Sequence, residues 1–136
     1  MGKNPMKKQL RSAVAALLAL AFAPAMAEDF DGSKNLICAP VQAVDCLAGT
    51  ECLAGTPDDI AFPAFIRIDF ANGAIVGPKR TTPIRYTDKS EAQLMLQGSE
   101  DKFGWTLALD QASGGMTITI AHAEGAFVLF GNCTPH

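Results

Sequence analysis

Four cysteines, Cys38, Cys46, Cys52 and Cys133, carry the most readily placed chemistry in this chain. An even count in an exported protein points to two disulfides. Cys46 and Cys52 flank Leu-Ala-Gly-Thr-Glu, a flexible turn that can bring them together. Cys38 stands near the start of the patterned sequence and Cys133 at its end. A sheet that closes on itself makes its first and last strands neighbours. The expected pairs are therefore Cys46–Cys52 and Cys38–Cys133. A metal is a poorer reading. The five residues between Cys46 and Cys52 match no common zinc spacing, and neither His122 nor His136 has a spaced partner.

Catalytic constellations are thin, and no catalytic residue, metal ligand or cofactor motif is assigned. Ser113, His122 and Asp110 fall close enough in sequence to sketch a triad. Ser113 stands in Ala-Ser-Gly-Gly, however, and not in the Gly-x-Ser-x-Gly elbow. Ordinary turn chemistry explains these residues better. Asp58-Asp59 and Glu100-Asp101 are adjacent loop acids, which usually sit in solvent. Lys79, Arg80 and Arg85 occupy a stretch without acids between Asp69 and Asp88. They form a candidate contact surface for a carboxylate or an acidic partner. Phe127 and Leu129 join that candidate surface, because Ala126 to Phe130 is apolar at successive positions. A strand of that kind is covered on both faces or leaves a patch for a partner.

The elements that must position these residues are strands. Phe65-Ile-Arg-Ile-Asp-Phe alternates with period two, and Asn72-Gly73 follows as a two-residue type I′ turn. The same pattern recurs in Pro83–Tyr86, Ala92–Gln97, Phe103–Asp110, Met116–Ala121 and Ala126–Phe130, with Gly, Ser and Asp in the turns. Ala39–Cys46 reads as an irregular edge strand because of Pro40, which also fits the first position of a short helix. Leu47–Pro63 reads as a long loop, tied by cysteines, with a helical turn started by Thr56 and Pro57. The expected fold is all-β: an antiparallel meander of seven or eight short strands, closed or nearly closed into a disulfide-stabilised barrel. A two-sheet β-sandwich is the alternative.

The chain start reads as an address. Lys3, Lys7, Lys8 and Arg11 precede the apolar run Ala13–Phe22, and Ala25-Met-Ala27 fits a cleavage site. Residues 1–27 are thus expected to be a signal peptide. Residues 28–136 are then a single β domain whose N-terminal segment and loop, 28–63, hold three of the cysteines. Glu28–Lys34 is polar and reads as a loose terminus. Removing the leader leaves seven basic against fourteen acidic residues, a net charge of −7. Such a chain is repelled by phosphate backbones, so nucleic acid is excluded as a partner. No membrane association is expected after cleavage.

Leu-Ile-Cys near the mature start, Pro-Ala-Phe-Ile-Arg-Ile-Asp-Phe, Leu-Met-Leu-Gln-Gly, Gly-Trp-Thr-Leu-Ala-Leu-Asp and the closing Phe-Gly-Asn-Cys together carry a resemblance. The chain resembles small secreted proteins of Gram-negative bacteria to which no activity is attached. That resemblance implies a periplasmic or secreted setting and supplies no catalytic residues. The repeated hairpins are also similar in shape to lipocalin-like barrels, although the mature chain is short for that group. The functional expectation is a non-catalytic binding or accessory protein, including an inhibitor, that contacts another exported protein. The alternatives are a small-ligand carrier using the barrel interior, a homodimer whose patch pairs with a second copy, and an enzyme of unassigned class.

Overall fold

The computed structural model describes Gly2 and residues 29–136, so the expected signal peptide lies outside the described residues. Ten strands form one antiparallel sheet. They are β1 (Leu36–Leu47), β2 (Leu53–Gly55), β3 (Ile66–Asp69), β4 (Ala74–Val76) and β5 (Thr81–Pro83), followed by β6 (Tyr86–Lys89), β7 (Gln93–Glu100), β8 (Phe103–Asp110), β9 (Gly115–His122) and β10 (Gly125–Pro135). The strand order is β5-β4-β3-β1-β10-β9-β8-β7-β6, with β2 added beside β1. This is a meander whose first and last strands pair, and among the described residues its one break falls between β5 and β6. The sheet curls into an open, barrel-like shape.

The break is partly bridged by the chain that crosses it. Arg85 N–H donates to Gln97 O at 2.8 Å, and Trp105 Nε1 donates to Thr82 Oγ1 at 3.4 Å. Between Pro83 and Tyr86 the chain leaves β4 as its neighbour and takes up β7. The strand expected over Pro83–Tyr86 is therefore the crossing point between two shorter strands.

Period-two patterning dictates the core. Leu94 and Leu96, Leu107 and Leu109, Met116 and Ile118, and Leu129 all point inward and are buried. From the other side Leu36, Cys38, Ile66, Ile68 and Ile75 meet them. A fully buried aliphatic side chain of this kind contributes about 1.5–3 kcal/mol.

Two local expectations are corrected. β1 is not an edge strand or a helix: it lies centrally, paired with β10 on one side and with β2 and β3 on the other. Pro40 is tolerated because the register shifts between Pro40 and Gln42, a bulge where a missing N–H costs no ladder bond. Gly131 faces the bulge, and a Cβ there would run into the backbone of Ala39 and Pro40. The β3–β4 turn is likewise not a two-residue type I′ turn. It spans Phe70–Gly73, because Asp69 pairs with Ala74. Asp69 accepts from Asn72 N–H at 3.1 Å, and only Gly73 takes a positive φ.

Nor is the N-terminal segment loose. Phe30 packs against the core, and Gly32 lies beside Leu94 and Phe70. Asp31 pairs with Lys89 at 3.5 Å, and Asn35 Oδ1 accepts from Phe70 N–H at 2.9 Å. Residues 29–35 thus strap the chain across the sheet to β6 and the β3–β4 turn. The signal for this was Phe30, a lone aromatic in a polar stretch.

Candidate functional site

Both expected disulfides form. Cys38 lies directly opposite Cys133 in the β1–β10 ladder, and the pair is buried. Cys133 N–H donates to Gly114 O at 2.8 Å, leaving Cys38 opposite it free to be bridged through the side chains. Cys46 and Cys52 close the turn between β1 and β2. Two disulfides suit an oxidising, extracytoplasmic setting. No described helix is long and apolar enough to cross a membrane.

The residues of the sketched triad do not converge. Asp110 Oδ1 accepts from Ala112 N–H, Ser113 N–H and Ser113 Oγ–H at 2.9, 2.7 and 2.9 Å. These bonds hold its carboxyl below the usual carboxylate range, the Ser113 amide first among them. His122 lies at the far end of β9 from that turn, roughly 23 Å away at the rise of a strand. There its ring meets Phe103 edge-on at 5.6 Å and Phe127 at 5.7 Å. Three of the four loop acids, Asp59, Glu100 and Asp101, are also occupied. Asp59 accepts from Thr56 N–H at 2.7 Å and Thr56 Oγ–H at 2.9 Å, closing a short 3₁₀ turn over Pro57–Ile60. Glu100 and Asp101 hold Arg80 at 3.3 and 3.7 Å.

The candidate contact surface divides. Leu129 is fully buried and Phe127 packs against the core, so neither presents itself to a partner. Period two reverses the assignment: Val128 and Phe130 face outward on β10, and Phe130 is exposed. Lys79, Arg80 and Arg85 are all exposed. Arg80 is engaged by Glu100 and Asp101, whereas Lys79 and Arg85 have no ion pair among the described residues.

Next to Lys79 lies a feature that sequence reading missed. Ile37, Arg67 and Val76 form one outward row across β1, β3 and β4. Phe65, 62% exposed, and Pro63 stand beside Gly77-Pro78 at the end of this row where β3 begins and β4 ends. Together they enclose an open groove of about 650 Å³ whose only charged lining residue is Arg67. Arg67 reaches Asp69 only at 3.8 Å. The Asp69 carboxylate is already held by the Asn72 side chain and backbone and by Asn35, which keep it below the usual range with help from Arg67. Arg67 therefore retains capacity for a second anion. No protein family, curated protein or solved structure matches this chain. The groove thus rests on its own chemistry: an apolar trough, one guanidinium in its wall, and Lys79 directly after Pro78.

Sequence pattern could not show it, because its parts come from three strands and two loops. The one available signal was Phe65, an aromatic just before a strand whose inward positions were already filled by Ile66 and Ile68. Two further polar atoms stand out. Asp45 Oδ1 and Gln111 Oε1 are buried without a hydrogen-bond partner. Asp45 lies opposite Phe127 in the ladder, on the inward side of β1.

Proposed function

We propose that this chain is a periplasmic or secreted, non-catalytic binding module that acts by contact with another exported protein, as an inhibitor or accessory. The observation that carries this reading is the groove between Phe65 and Pro78. An apolar trough with a guanidinium in its wall fits a partner segment that joins an apolar side chain to a carboxylate. The packed interior favours surface contact over the carrier alternative: the leucines of β7, β8 and β10 fill the space a carried ligand would need. The disulfides and the Ala-x-Ala leader support the export setting. The resemblance to small secreted proteins of Gram-negative bacteria belongs to the same reading.

Affinity capture from periplasmic and culture fractions tests it, with wild type, Phe65→Ser and the Lys79, Arg80, Arg85 charge reversal run side by side. The expected result is a discrete exported protein held by wild type. It should be lost with Phe65→Ser, and its salt dependence should flatten with the charge reversal. Equal capture by all three proteins would overturn the groove as the contact.

A further inference from the structure

The outer face of the long-strand side has a property that a chain of this acidity does not come by easily. Three successive register rows cross β7, β8, β9, β10 and β1 on the outside. One runs through Met95, Ala108, Thr117, Phe130 and Gln42. The next lies between Gln97 and Val44, and the third between Ser99 and Cys46. None of these fifteen positions carries a charge. A soluble surface with roughly a quarter of its residues charged would place about four there.

The face also has relief. The bulge in β1 turns Val41 and Gln42 outward together, between buried Pro40 and Ala43. Val41 is 66% exposed, and Phe130, opposite Gln42, is 40% exposed. They make an apolar ridge. Beside it, Ala108, Gly115 and Thr117 form the floor of an open depression of about 430 Å³, with Asp110 on its outer rim, one row beyond the uncharged positions.

We propose that this uncharged face is a self-association surface, where the Val41–Phe130 ridge of one copy seats in the Ala108–Thr117 depression of a second copy. A ridge and a depression side by side on one patch are self-complementary about a two-fold axis. Charge selects the occupant. Two chains of net charge −7 repel wherever their acids meet, and this face lets them approach with Asp110, at the rim of the depression, as the one acid at the contact. Five strands about 4.8 Å apart and three rows about 7 Å apart give a patch of roughly 500 Å² per copy. That lies at the small end for specific interfaces, so the dimer is weak and transient, with micromolar or weaker affinity. The inference is independent of the groove on β3 and β4, which lies outside these rows.

Sedimentation velocity of the chain from residue 28 onward, from about 5 µM to about 1 mM, tests it. The expected result is a monomer–dimer equilibrium that tightens with added salt, as screening removes the repulsion of the remaining charges. Val41→Glu and Thr119→Glu should each weaken dimerisation at least tenfold. Both sites are exposed, so circular dichroism and Tm should stay as in wild type. Leu53→Glu, an exposed position off the face, should leave it unchanged. A chain monomeric over the whole range overturns the proposal. So does a dimer indifferent to both face variants, which would place the contact elsewhere.

Discussion

The two flanks of β1 are built to different plans. On the β10 side, β7, β8 and β9 run eight residues each and β10 eleven, with short turns between them. On the other side, β2 to β5 have three or four residues each, interrupted by prolines and glycines. Most of the fully buried leucines come from the long strands. Exposed Lys79 and Arg80 and the apolar groove come from the short ones. The difference teaches where each job sits. Long regular strands bury enough surface to hold the fold, and short strands on that scaffold are free to present side chains outward.

The largest expected effect comes from uncoupling the two flanks. Cys38–Cys133 joins β1 to β10 across a sequence separation of 95, whereas Cys46–Cys52 spans 6. In the chain-entropy model the first is worth about 5 kcal/mol and the second about 2. Denaturant unfolding of the Cys38→Ser/Cys133→Ser and Cys46→Ser/Cys52→Ser pairs should show that gap. Equal losses would mean that the closure by β1 and β10 is held by the ladder alone.

Next comes a pair of truncations, one on each flank. Leu107→Ala, at a fully buried site, should cost about 2–5 kcal/mol. Val76→Ala, outward on β4 beside the groove, should cost under about 1 kcal/mol. Similar costs at both sites would erase the distinction between scaffold and presenting surface.

The smallest effect is the response to acid. Four carboxyls are held below their ordinary range: Asp59 and Asp69 on the short-strand side, Asp31 in the N-terminal strap and Asp110 at the end of β8. The Ser33 side chain holds Asp31, the Thr56 amide holds Asp59, and the Asn72 side chain holds Asp69. A depressed folded pKa gives stability that is full above the unfolded value and lost as pH falls through the folded one. Below about pH 4, amide protection factors in Ile66–Val76 should therefore fall, ahead of those in β8 and β9. Simultaneous loosening of both flanks would show that these carboxyls pin nothing locally.

The same division governs what the sequence made legible. Phe103–Asp110, Met116–Ala121 and Ala92–Gln97 were readable because strict alternation with buried leucines leaves one solution. Cys38–Cys133 followed from the idea that the ends of a closing meander meet, and Cys46–Cys52 from the flexible turn between them. The short-strand side resisted reading. Thr81–Lys89 changes partners midway, Leu53–Gly55 is too short to show a period, and Pro40 signals an edge until a bulge accommodates it. On β10, hydrophobicity at successive positions hid which side chains point out. The structure resolves this by burying Leu129, packing the half-buried Phe127 against the core and exposing Phe130. The groove was illegible because its walls converge only after β1, β3 and β4 pair.

The central claim is that contact with an exported partner is made through the Phe65 groove. Site-specific photo-crosslinking in intact cells tests it most directly, with a benzophenone side chain placed in turn at positions 65 and 53, both exposed. A discrete adduct with one exported protein is expected from position 65, abolished by Arg67→Glu, and none from position 53. No adduct from position 65, or the same adduct from both positions, would contradict it.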